Sequence, residues 1–182
     1  MKFLKTKIQG CYLIHPEVLK DSRGGFFRTF CEDEFKRETG QNIIFKQLNH
    51  SINTSKGTFR GMHYQSSPYG EEKLVRCIQG TVIDYFVDLR KNSPTFLQYD
   101  QVELSAINKN MIYLCKGIAH GFLTLEVNTE LIYHHTESYQ KDADRGLKYS
   151  DKKINIKLPF DPLVISEKDD NYPTLPINFK GI

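Results

Sequence analysis

Apolar and polar residues alternate with a period of two over much of this chain, in short runs separated by turn residues. In 81–89 (TVIDYFVDL), Ile83, Tyr85, Val87 and Leu89 alternate with Asp84 and Asp88, which is the period of a strand. Val102, Leu104 and Ala106 repeat it in 101–107 (QVELSAI), and MIYLC (111–115), GFLTLEV (121–127) and ELIYHHTE (130–137) are further β-rich runs. KLVRCIQ (73–79) meets the 81–89 run at Gln79-Gly80, which predicts a hairpin. NSPTF (92–96), Asn108–Asn110 and Asn128 supply turns, and Gly117 and Gly121 bracket another break. Strands recurring about every 8–12 residues predict an all-β sandwich or barrel. One short helix is predicted over Glu32–Thr39, ended by Gly40 through a left-handed cap. Pro159, Pro162, Pro173 and Pro176 mark an irregular tail.

A length of 182 residues predicts one domain, 1–182. With 39% hydrophobic and 26% charged residues the chain is neither disordered nor fibrous in composition. Twenty-five Lys+Arg against 22 Asp+Glu give a net charge of +3, too mild for a nucleic-acid footprint. The cysteines Cys11, Cys31, Cys77 and Cys115 form no CxxC pair, which argues against structural zinc and a dithiol motif and for reduced thiols in the cytoplasm. Lys5 and Lys7 interrupt the N-terminal apolar residues, and no stretch reaches the ~20 apolar residues of a membrane helix. A soluble protein with no membrane or nucleic-acid partner is expected. Twelve Phe and ten Tyr can fill a barrel interior or line a pocket.

Chemistry concentrates around a few of the six histidines. His134 and His135 are adjacent on a strand and point to opposite faces. His63 lies in FRGMHYQ, three residues after Arg60, with Gly61 free to turn tightly and Lys73 ten residues on. An imidazole flanked by two cations suits an anionic substrate whose proton must be removed; solvated cations fit the same spacing. Gly117 and Gly121 frame His120. Tyr133 shares its strand face with Leu131 and His135, as a buried hydrogen-bonded phenol or as a proton donor.

In the order RGMHYQ, KLVR, VDLRKNSPTF, VELSA, GIAHGF, LIY and SEKD, from about Asp21 to Pro173, the chain resembles the dTDP-4-dehydrorhamnose 3,5-epimerases. The resemblance implies an all-β, cupin-type jelly-roll barrel with short peripheral helices, usually a homodimer whose N-terminal strands cross between subunits. It implies His63 as general base, Tyr133 as general acid, Asp169 paired with His63, and Lys73 and His120 near a ketone. Arg23, Gln47, Asn49, Arg60 and Lys168 would surround the nucleotide and diphosphate, Tyr139 would stack on the pyrimidine, and Asp144 falls at a substrate-binding acidic position. In DSRGGFFR the familiar acidic residue is replaced by Arg28, at a substrate-binding position, which leaves nucleotide preference open. Cys115-Lys116 stands before GIAHGF where a proline is common.

The implied reaction inverts C3 and C5 of a dTDP-4-keto-6-deoxyhexose on the way to rhamnose. Both hydrogens are acidified by the C4 ketone; a base removes one, a cation or donor holds the enolate oxygen, and an acid returns a proton to the opposite face. No cofactor or metal is expected, because Gln65 stands where a metal-binding cupin presents its second histidine. Competing readings are a 3- or 5-mono-epimerase, an epimerase of another nucleotide-linked 4-keto sugar, a metal-dependent cupin oxygenase, and a non-catalytic sugar-binding module.

Overall fold

A computed structural model describes all of residues 1–182. In chain order the elements are β1 (Lys2–Lys5), β2 (Tyr12–His15), β3 (Leu19–Asp21), β4 (Gly24–Phe26), α1 (Glu32–Thr39), β5 (Gln47–Asn53), β6 (Thr58–Gln65) and β7 (Lys73–Gln79). Then follow β8 (Thr81–Asp88), β9 (Tyr99–Ser105), β10 (Met111–Leu114), β11 (Ile118–Thr124), β12 (Thr129–His135), β13 (Asp144–Gly146), β14 (Val164–Ile165) and α2 (Glu167–Asp170). One sheet runs β1-β2-β10-β7-β12-β5 and the other β13-β6-β11-β8-β9, with β14 parallel to β6; β3 and β4 form a separate hairpin. This is the jelly-roll architecture of the cupins, with only two short helices at its periphery.

The sheets face each other across a core that takes Val75, Cys77, Ile112 and Leu131 from the first and Val82, Phe86, Leu104, Ile118 and Phe122 from the second. Their outer faces are also covered. Tyr85, Val87, Leu89 and Leu123 pack beneath Leu147, Ile154 and Ile156 of the C-terminal segment. Ile14, Leu74, Met111 and Tyr113 pack against Phe35 of α1 and Ile43. Helix α1 has the expected bounds, with Gly40 at φ 75° donating its N–H to the Lys36 carbonyl. Its single buried residue, Phe35, fixes it to the first sheet.

Two local expectations give way to the tertiary structure. The runs 73–79 and 81–89 are not a hairpin: β7 pairs with β10 and β12, and β8 with β11 and β9. Gly80, at φ 74°, carries the chain from one sheet to the other, and a Cβ there would fall 2.5 Å from Thr129 Oγ1. β7 has sequence-distant partners on both edges and β8 on one, its other edge taken by the next strand, β9, and a local turn signal cannot register that choice. Gly121 is not a break either; it lies inside β11. In β8 the period of two holds, but Asp84 and Asp88 are fully buried, because both faces of the strand are covered.

Candidate active site

The site begins with an irregularity between β6 and β11. His63 pairs with His120 and Arg60 with Phe122, so three steps on β6 match two on β11. That extra residue is a β-bulge, and it brings Arg60 and His63, which would face opposite ways in a regular strand, to the same cavity. Gly61 and Gly121 make it possible: a Cβ on Gly61 would fall 2.5 Å from the Gly121 Cα.

The cavity, about 620 Å³, lies between the two sheets. His63, Arg60, His120 and Phe122 line it from the second sheet; Tyr133, His135, Lys73, Asn49 and Ser51 line it from the first. His63 Nε2 is 2.8 Å from Asp169 Oδ1, while Asp169 Oδ2 accepts the Gly61 N–H at 3.1 Å. Asp169 arrives on α2, whose N-cap Ser166 Oγ accepts the Asp169 N–H. Burial alone would raise the Asp169 carboxyl, but the contacts with His63, Gly61 and Ser166 outweigh it and hold it below the usual carboxylate range. The dyad therefore carries a charged carboxylate, which fixes a proton on Nε2 and leaves Nδ1 as the acceptor. Tyr172 sets its ring edge-on to His63, 5.7 Å between centroids, and the absence of a side chain at Gly146 makes room for it.

On the opposite wall the Tyr133 ring lies 6.1 Å from His120 and 6.2 Å from His135. Burial, aided by Asp84, pushes its phenol well above the ordinary range, so it carries its proton at neutral pH. His120 Nε2 meets Asp84 Oδ2 at 2.8 Å with both groups buried. Burial moves each toward its neutral form, raising Asp84 and lowering His120. The second cation of the cavity is Lys73, whose Nζ is 3.0 Å from Glu71 Oε1 and 3.5 Å from the His63 carbonyl. The other oxygen of Glu71 holds His135 Nδ1 at 2.8 Å. Burial opposes ionisation of Glu71, but His135 and Lys73 win and bring its pKa down to about 2.

From His135 a hydrogen-bonded run leads outward. Its Nε2 contacts Asn49 at 3.2 Å, Gln47 donates to Asn49 at 2.9 Å, and the Tyr139 N–H donates to Gln47 at 2.9 Å. The Tyr139 hydroxyl then donates to Asp144 at 3.1 Å, and Lys168 is ion-paired with the same carboxylate. These residues border a smaller cavity of about 200 Å³ that shares His63, Asn49, Lys73 and His135 with the first. Arg60 is steered by Asn53, Nε to Oδ1 at 2.7 Å. Gln65 is occupied elsewhere, accepting the Gln140 N–H and donating to the Tyr69 and Ser138 carbonyls.

Three expected site residues border neither cavity: Asp169 stands behind His63, whereas Arg23 and Arg28 lie away from the site. Arg23 is paired with Asp21 at 2.6 Å in the β3–β4 hairpin, and Arg28 with Glu34 of α1. Conversely, Asp84, Glu71, His135 and Ser166 support the site without having been singled out for it. Asp84 had a signal, a carboxylate amid apolar neighbours on a central strand, and Glu71 another, its place two residues before Lys73.

Acid and base groups on facing walls, with cations and donors between them, suit proton transfer at an acidified carbon, and in this barrel they define a cupin-type epimerase. The family model for dTDP-4-dehydrorhamnose 3,5-epimerase matches residues 5–176. A dTDP-4-dehydrorhamnose 3,5-epimerase of Shigella flexneri is 43% identical over 171 residues, 94% of each chain. The crystal structure of dTDP-4-dehydrorhamnose 3,5-epimerase from Elizabethkingia anophelis superposes with a TM-score of 0.92 at 39% identity, covering 96% of both chains. That of a dTDP-6-deoxy-D-glucose-3,5-epimerase from Legionella pneumophila, in complex with dTDP-4-keto-L-rhamnose, gives 0.89 at 33% identity, covering 95% of this chain and 92% of the other. The chain belongs to the dTDP-4-dehydrorhamnose 3,5-epimerase family and is an isomerase.

Proposed function

We propose that this enzyme inverts C3 and C5 of a dTDP-4-keto-6-deoxyhexose, with His63 as base and Tyr133 as acid. The observation that carries this reading is the placement of the His63–Asp169 pair and Tyr133 on opposite sheets flanking one cavity. Inversion needs a proton taken from one face of the carbon and returned to the other. His63 Nδ1 accepts the proton α to the C4 ketone, and Asp169 stabilises the imidazolium that forms. Lys73 and His120, which line the same cavity from the two sheets, hold the enolate oxygen as charge develops on it. Tyr133 delivers its phenolic proton from the far side. Arg60, Asn49 and Gln47 take the diphosphate and nucleotide, and Tyr139 offers a half-exposed ring for the pyrimidine, backed by Asp144 and Lys168.

The working unit in this reading is a homodimer of the single domain 1–182 in the cytoplasm. Leu19 and Phe26 of the β3–β4 hairpin and Leu48 and Ile52 of the edge strand β5 are exposed large apolar residues, as expected of a face that closes on a second copy. Arg23 and Arg28, on or beside that hairpin, would reach the partner's cavity rather than their own.

Proton NMR of the product formed in deuterated buffer tests the activity. Deuterium at both C3 and C5 is the expected result, and deuterium at one carbon alone would make the enzyme a mono-epimerase. His63→Ala should abolish exchange at both carbons, a loss of at least ~10²–10⁴ in rate, with dTDP affinity nearly intact by calorimetry. Exchange at the wild-type rate would remove His63 from the mechanism.

A further inference from the structure

We infer that Cys11 and Cys115 form a reversible oxidation site, in which hydrogen peroxide converts Cys115 to a sulfenic acid and Cys11 resolves it as a disulfide. The two cysteines are 104 positions apart in sequence, yet their sulfurs lie 3.9 Å from each other. Cys11 immediately precedes β2 and Cys115 immediately follows β10, beside the Tyr12–Tyr113 pair of those antiparallel strands. The sulfurs need to close by only about 1.9 Å to reach the ~2.05 Å of a disulfide.

The surroundings distinguish the two thiols. Arg90 donates from Nη1 to the Cys115 sulfur at 3.2 Å. Its other nitrogens are held by the fully buried Asp88, Nε at 2.9 Å and Nη2 at 2.7 Å, and Nη2 also reaches the Gln9 carbonyl at 2.6 Å. The guanidinium is therefore fixed with one N–H aimed at sulfur, an arrangement that favours thiolate. Cys115 borders a cleft of about 420 Å³ that also exposes Arg90, Lys116 and Gly10, so a small peroxide can reach it. Cys11 is 1% exposed and sits behind it in the barrel core. The Cys11 contact and Arg90 lower the Cys115 thiol, whereas burial raises that of Cys11. The outer sulfur is thus the nucleophile and the inner one the resolving thiol. Cys77, in contrast, is buried with its thiol pushed up to about 11 and donates only to backbone carbonyls.

The chemistry balances. The Cys115 thiolate attacks one peroxide oxygen, the O–O bond breaks, and the departing hydroxide takes up a proton. Cys11 then attacks the Cys115 sulfur and loses its thiol proton, the S–O bond breaks, and a second water leaves. Two thiols give up two electrons and one peroxide is reduced to two waters. The epimerisation uses neither sulfur.

The test begins with reduced, desalted wild-type protein and one equivalent of hydrogen peroxide, followed by peptide mapping without reductant. The expected product is a Cys11–Cys115 cross-linked peptide lighter by two hydrogens and reversed by dithiothreitol. In Cys11→Ser the sulfenic acid at Cys115 should accumulate and be captured by dimedone. Without oxidant, iodoacetamide at neutral pH should label Cys115 about threefold or more faster than Cys31. If Cys11→Ser fails to fold, the wild-type cross-link and the labelling order still decide. Oxidation that falls on Cys31 or Cys77 while Cys115 stays a free thiol would overturn the inference.

Discussion

Asp169→Asn keeps the shape of the side chain that orients His63 and removes one acceptor and one charge. Asp169 is 4% exposed and serves two donors at once, His63 Nε2–H at 2.8 Å and the Gly61 N–H at 3.1 Å. Asparagine has one oxygen for these two donors and an NH₂ that clashes electrostatically with whichever is left. If the oxygen stays on Gly61, the NH₂ faces Nε2, and the imidazole proton must move to Nδ1, the nitrogen that should accept from substrate. If the oxygen turns to His63, the working tautomer survives but a buried backbone N–H loses its partner, at about 1–3 kcal/mol. The unproductive arrangement is therefore favoured by roughly 5- to 150-fold. Loss of the carboxylate that stabilises the imidazolium lowers the rate further; the same substitution in the Ser-His-Asp triad of serine proteases costs about 10⁴. Solvent exchange at C3 and C5, followed by NMR in deuterated buffer, should fall by roughly 10²–10⁴. Calorimetry with dTDP should show little change, since Asp169 touches His63 and backbone rather than the nucleotide subsite. A folded Asp169→Asn variant exchanging at close to the wild-type rate would refute the tautomer argument.

Three further outcomes are expected. Tyr133→Phe should still lose the α-proton to solvent but produce far less inverted sugar, and full-rate epimerisation would assign the acid role to water or another residue. Glu71 has its pKa brought down from 4.5 to about 2 by His135 and Lys73, so its contribution is complete above about pH 4.5 and lost as pH falls toward 2, at most about 3 kcal/mol. Urea melts of wild type should weaken over that window and those of Glu71→Gln much less; parallel slopes would sink the assignment. Arg28 has donors and no acceptor, so it cannot take a hydrogen bond from the thymine ring N–H. Selectivity for dTDP over CDP, whose ring nitrogen accepts rather than donates, should be weak or reversed, and Arg28→Glu should move it toward dTDP by about tenfold or more, one charged hydrogen bond. A strong dTDP preference untouched by that change would take Arg28 out of nucleotide reading.

Much of this molecule is legible along the chain because the signals involved are local. Period-two alternation locates the strands of the barrel, since successive side chains of a strand must face opposite ways. Glycine's tolerance of positive φ marks the end of α1 at Gly40. The motifs around His63, His120 and Tyr133 likewise single out groups that do end on one cavity. Partner choice is a different matter, because alternation is the same whichever strand lies alongside. Hence 73–79 and 81–89, neighbours in sequence, sit in different sheets, while β6 meets β11 and β12 meets β5 with several other strands between them in sequence. Alternation also cannot say which face is inward when both are covered, so only the packed barrel reveals Asp84 as the buried partner of His120. The bulge that turns Arg60 and His63 to one side is an event between two strands, set by the close approach of Gly61 to Gly121. The Glu71–Lys73–His135 cluster and the Cys11–Cys115 contact are likewise products of strand register. Residue types and spacing select the chemistry available to this chain; long-range pairing, which no local propensity encodes, decides which of those groups meet.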